Sequence, residues 1–114
     1  MAEYENSGSL FVQIPEIVSE EISDTLFKSD QLKIERIISQ GNSTAKDEWL
    51  KQDRDEWVLL VQGAAKLSFK DKAEIIEMKP GEYILIKADT KHRVEWTDPK
   101  QKTIWLAVHG TSKK

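Results

Sequence analysis

Apolar residues recur along this chain at two spacings. Near the N-terminus Val18, Ile22 and Leu26 stand four apart, with Ser19 placed to cap and Glu20 and Glu21 in the first turn. That pattern predicts one short helix over residues 18–28. From Gln31 onward the period shortens. Leu32, Ile34 and Ile37-Ile38 lie in a β-rich segment ending near Gln40-Gly41, and the polar residues 41–47 read as a loop. Residues 56–62 form a strongly apolar strand closed by Gly63. Ala65, Leu67 and Phe69 alternate with polar residues up to a hairpin turn at Asp71-Lys72, and residues 73–78 return. The Pro80-Gly81 turn leads into a strand at 83–86; further strands follow at 92–96 and 103–108, separated by Asp98-Pro99. About seven or eight strands with a turn every eight to twelve residues predict an antiparallel sandwich or barrel rather than a βαβ sheet. Before them, residues 1–9 read as a flexible lead-in ending in Ser7-Gly8-Ser9, which leaves 10–114 as a single domain.

The strand that opens at Glu56 is unusual. Side chains alternate between faces, so Glu56, Val58 and Leu60 share one face and Trp57, Leu59 and Val61 the other. Both faces are apolar apart from Glu56. A strand buried on both sides needs cover outside, from the N-terminal helix or from a second copy of the chain, so a homodimer is expected. Burying an unpaired carboxylate is expensive, so Glu56 should have a partner. His92 is the natural candidate: in its strand His92, Val94 and Trp96 share a face, while Arg93 and Glu95 point the other way. Two strands that each aim a polar residue into an apolar interior mark a candidate site.

Composition narrows the function classes. The 114 residues carry 39% hydrophobic and 32% charged side chains with a net charge of −3, as in an ordinary globular domain. Lys and Arg are scattered, so no basic stripe points to nucleic acid or to an anionic membrane. With no cysteine, disulfides, thiol chemistry and cysteine-based zinc sites are absent, which suits a reducing compartment. The first six residues are acidic and polar, unlike a secretory signal, and no apolar run approaches the roughly 20 residues of a membrane span, so a cytoplasmic protein is expected. No Gly-rich phosphate loop and no nucleophile–histidine–acid spacing is present.

The spacing of Glu56 to Gly63 and of Gly81 to His92 resembles the two half-motifs of the cupin barrel. In that resemblance Leu50 and Gln52 stand at the two histidine positions of the first motif. Lys87, Asp89 and Trp96 stand at the proline, second glycine and asparagine of the second. The likeness runs from about Gln31 to His109, and the phrases Trp49-Leu50-Lys51-Gln52, His92-Arg93-Val94-Glu95-Trp96-Thr97 and Trp105-Leu106-Ala107-Val108 look like a group of small bacterial single-domain cupins. It implies an all-β fold, an antiparallel double-sheet jelly-roll β-barrel with one short N-terminal helix, and a cavity lined by Gln52, Glu56, His92, Val58, Val94 and Trp96.

Metal-dependent cupins typically use three histidines and a glutamate. Two histidines in the whole chain cannot supply that set. Gln52, Glu56 and His92 would favour one loosely held divalent ion, with His109 as a further candidate ligand. The inward face of the last strand is open between Ile104, Leu106, Val108 and Trp105, Ala107, His109, and a surface position at the strand end is the favoured one for His109. Trp49 and Trp96 are candidate stacking surfaces for a ligand, with Arg93 and Lys87 placed to meet an anionic group. The favoured function is binding of a small molecule. The alternatives are a metal-dependent dioxygenase or isomerase, a metal-free acid/base isomerase using Glu56 and His92 as the catalytic pair, and a purely structural module.

Overall fold

The computed structural model describes residues 6–111. Among the described residues eight strands run β1 (Ile22–Lys28), β2 (Leu32–Ser39), β3 (Asp55–Gln62), β4 (Ala65–Phe69), β5 (Ile75–Met78), β6 (Tyr83–Ile86), β7 (His92–Thr97) and β8 (Thr103–Gly110). They form a five-stranded sheet in the order β1-β2-β8-β3-β6 and a three-stranded sheet in the order β5-β4-β7. Every pairing is antiparallel. The two sheets enclose a core of Val58, Leu60, Ala65, Leu67, Phe69, Met78, Ile86, Trp105 and Ala107. Of the expected lead-in, residues 1–5 lie outside the described residues.

The expected helix over 18–28 is not there; no helix occurs among the described residues. Residues 22–28 instead form the edge strand β1, with Ile22 opposite Ile38 and Asp24 opposite Arg36. The four-apart set is no single face, since Val18 is buried and Leu26 is 51% exposed. Ser23, Asp24 and Thr25 are weak helix formers, and β2 offers their backbone a complete ladder. Tertiary pairing overrides the local spacing.

Antiparallel partners share a face, so the register reads out both sides of the large sheet. One outer row runs Phe27, Ile34, Val108, Trp57, Leu85, apolar across all five strands. The next is Asp24, Arg36, Leu106, Leu59, Tyr83. The buried Arg36 holds down the segment before β1: its guanidinium donates to the carbonyls of Leu10, Val12 and Gln13 and to Asp24 Oδ2 at 2.7 Å. That strap lies at the level of Asp24 and Arg36 on β1 and β2. At other levels of the face Phe27, Tyr83 and Leu85 stay 52%, 66% and 49% exposed, with Tyr83 against Trp57 at 5.3 Å between ring centroids.

The inner rows differ. Lys33, His109, Glu56 and Ile86 form one; Glu35, Ala107, Val58 and Ile84 the next; Ser23, Ile37, Trp105 and Leu60 the third. Polar groups gather at one end of this face and the core lies at the other. The chain leaves β3 for the second sheet through Gly63 at φ 95°, where an added Cβ would sit 2.6 Å from Thr103 Cα. Only glycine fits that approach.

Candidate functional site

A cavity of about 270 Å³ opens between the sheets. Val58, Leu67, Ile86 and Trp105 form its deep walls with Ile37, Val94 and His92, while Glu21, Ser23, Glu35, Leu50, Lys51, Gln52, Glu56 and His109 surround the mouth. Glu56 and His92, thirty-six residues apart, thus face one hollow, as the spacing of the motifs required.

Each functional side chain is aimed by backbone structure. Glu56 sits at the start of β3 directly opposite His109 of β8. The segment before β3 is pinned to the start of β7 by reciprocal bonds between Leu50 and His92, 2.7 and 3.0 Å, and by Asp89 N–H donating to the Gln52 carbonyl at 2.7 Å. Asp89, at the position of a cupin glycine, keeps a left-handed backbone at φ 64°, a conformation Asp tolerates better than most residues.

The mouth is a chain of polar contacts. Gln52 Nε2 donates to Glu56 Oε1 at 2.9 Å. Glu56 Oε2 lies 4.0 Å from His109 Nε2, and that nitrogen is bonded to Glu35 Oε1 at 2.8 Å. Lys33 Nζ flanks the other Glu35 oxygen at 3.3 Å. Glu21 is exposed as a residue, but its carboxyl enters the mouth, where desolvation first and the neighbouring Glu56 and Glu35 next raise its pKa, opposed by a hydrogen bond with Ser39. His92 is 4% exposed. Its Nδ1 lies 2.8 Å from the Thr90 carbonyl; a carbonyl only accepts, so Nδ1 carries the hydrogen and in the neutral ring Nε2 is the acceptor.

Several expectations are corrected here. The imidazole beside Glu56 is that of His109, not of His92. His109 belongs to the inward set with Trp105 and Ala107, so the surface position expected for it is wrong. Trp96 does not share the His92 face: a bulge between Lys66 and Leu67 shifts the register, placing Leu67 opposite Val94 and Lys66 opposite Trp96. Trp96 therefore faces out, 37% exposed and under Lys66. Trp49 and Arg93 are also outside the cavity, stacked on each other at 5.6 Å, with Arg93 Nε 3.3 Å from Glu95. Gln52, Glu56, His92, Val58 and Val94 line the cavity as expected. Glu21, Glu35 and Trp105 were missed. The inward period of Glu35 with Ile37 in a β-rich segment is the signal that could have found it.

The donor set does not suit a metal ion. Among the described residues no group of three or more His, Asp or Glu side chains is arranged to hold one. Leu50 offers no side-chain ligand atom, Gln52 donates an amide hydrogen to Glu56, and His109 Nε2 is engaged by Glu35 whichever of the two holds the proton.

No family model matches the chain, and no curated protein does. Solved structures do. A protein of Ralstonia eutropha with the provisional name mannose-6-phosphate isomerase is 38% identical over 93% of this chain and 98% of its own, with a TM-score of 0.90. A cupin superfamily protein of Desulfitobacterium hafniense matches at 19% identity over 87% of this chain and 84% of its own, TM-score 0.70. An RmlC-like cupin of Methanocaldococcus jannaschii with a double-stranded β-helix fold matches at 13% over 87% of each, TM-score 0.67. The chain belongs to the cupin superfamily, with the RmlC-like double-stranded β-helix fold.

Proposed function

We propose that this cupin binds a small molecule in the cavity between its sheets. One observation carries the reading: a hollow of about 270 Å³ with apolar walls is left open where the core should close, and buried polar groups converge on its mouth. The volume lies near the lower end of the roughly 300–1,000 Å³ usual for ligand sites, so the ligand is small. A metabolite library screened against untagged protein by tryptophan fluorescence tests this. Saturable quenching that disappears in Trp105→Phe is expected; a library without a saturable response contradicts it.

A second reading is proton transfer on a bound substrate. His109 stands between Glu35 and Glu56, 2.8 and 4.0 Å from their oxygens, a ready general acid/base. The pair expected from sequence was Glu56 with His92; the geometry favours Glu56 with His109. The name of the Ralstonia protein supports sugar isomerisation as the first assay. If that activity is present, His109→Asn lowers kcat by about 10²–10⁴, the usual share of general acid–base catalysis, while changing KM little. Unchanged kcat contradicts this reading and leaves ligand binding standing. No step through a metal is drawn, because the residues do not fit one.

The partner proposed for the outer face is a second copy of this chain. Phe27, Tyr83 and Leu85 are about half or more exposed, beside half-buried Ile34, Trp57, Leu59, Leu106 and Val108. At roughly 150–250 Å² per large aromatic side chain, this row offers several hundred Å², the same order as the ~800 Å² per partner of a stable interface.

A further inference from the structure

The charged side chains of the cavity are mostly acidic: Glu21, Glu35 and Glu56 line it, against Lys51 at the rim. Several donors are engaged internally, one Gln52 amide hydrogen by Glu56, the proton shared by His109 and Glu35, and His92 Nδ1–H by Thr90, while the Trp105 and Ser23 side chains add neutral donors to the lining. Two acceptors stand without such a bond. Glu56 Oε2 has only His109 at 4.0 Å, and His92, nine-tenths buried against the cavity wall, turns the acceptor Nε2 away from the Thr90 bond. Cations stand at the edge. Lys33 is paired with Glu35, Lys51 belongs to the exposed rim, and no arginine lines the cavity among the described residues.

We propose that the cavity selects a ligand with an apolar body and a hydrogen-bond-donating cationic head, an ammonium, and rejects carboxylates and phosphates. The proposal rests on the ligand-binding reading above and names its ligand class. An ammonium brings three donors and no acceptor, the complement of Glu56 Oε2 and His92 Nε2, while its hydrocarbon body meets Val58, Leu67 and Trp105. It also relieves the repulsion among Glu21, Glu35 and Glu56, which raises the pKa of Glu21 alongside desolvation. A phosphate or carboxylate adds negative charge beside Glu21, Glu35 and Glu56, with only Lys51 at the rim to offset it. The ligand class therefore differs from a sugar phosphate, the kind of substrate in the name of the Ralstonia relative.

Three probes of matched body decide it: phenethylamine, phenylethanol and phenylpropanoate, titrated against the whole chain by tryptophan fluorescence and by calorimetry. The amine should bind at least about tenfold more tightly than the carboxylate, the order of one charge-assisted hydrogen bond, with the alcohol between. In Glu56→Gln the amine should weaken about tenfold and the alcohol no more than about threefold. Equal affinities, or a preference for phenylpropanoate or an added sugar phosphate, overturn the ligand class and leave cavity binding intact. No binding of any probe overturns both. The selectivity of the unmodified chain decides the proposal even if Glu56→Gln fails to fold.

Discussion

The two faces of the five-stranded sheet are written by one alternation and have opposite characters. On the inner face charge is admitted at one end, where Glu56 meets His109 in register and Glu35 meets His109 and Lys33; the next row sets Ser23 beside Ile37, Trp105 and Leu60 and carries no charge. On the outer face the row from Phe27 to Leu85 is apolar throughout and half exposed at Phe27 and Leu85, while the strap clamped by Arg36 lies at a neighbouring level. The difference teaches where polarity can be placed. An inward charge survives when the neighbouring strand offers a partner at the same level, because a lone buried charge costs several kcal/mol. An outward apolar row needs no partner on its own strand, only something to cover it.

Four substitutions break or sharpen that contrast. Trp105→Ala, at a position 4% exposed, should cost about 3–5 kcal/mol by chemical denaturation, whereas Leu85→Ala on the outer face should cost under about 1 kcal/mol. Similar losses would mean that the inner face is not the core. Arg36→Met removes the clamp from three carbonyls and Asp24. The Asp24 side chain is 42% exposed, so the loss should fall near 2 kcal/mol rather than the ~3–5 of a fully buried pair, and cavity binding should be unchanged. Leu85→Asp should leave monomer stability within about 0.5 kcal/mol while abolishing self-association in sedimentation velocity. A native chain that sediments only at 13.1 kDa even at high concentration contradicts the dimer.

The smallest effect is set by pH. The raised pKa of Glu21 means that the folded state binds its proton more tightly than the unfolded chain. Stability therefore falls as pH rises from the ordinary value of 4.5 through the raised one. Glu21→Gln removes that penalty, so the variant should melt a degree or two higher at pH 7, the scale of an exposed charge, and lose the advantage below pH 4.5. A variant that melts lower at pH 7 contradicts this account of Glu21.

Much of this was legible in the chain. Alternation and turn residues located the strands from β2 onward, and the spacing of Glu56, Gly63, Gly81 and His92 brought the carboxylate and imidazole to one hollow. What failed did so for physical reasons. Residues 18–28 carry a helical spacing that only pairing with β2 overrides. The bulge opposite Lys66 and Leu67 inverts the parity of β7, so Trp96 turns outward with nothing in its own strand to announce it. Both faces of β8 are apolar, and the side taken by His109 is decided by its register with β3, a long-range fact. Glu35 stands among Lys33 and Arg36, a charge run that reads as solvated until the strand is known to be central.

The four indole N–H signals of a nitrogen-correlated NMR spectrum give the most direct test of where the molecule binds. On adding a saturating ligand, the resonance of Trp105, in the cavity wall, should move, while those of Trp49 and Trp96, outside it, should stay. Movement of Trp49 or Trp96 with Trp105 unmoved would place binding on the outer surface and contradict the cavity as the site.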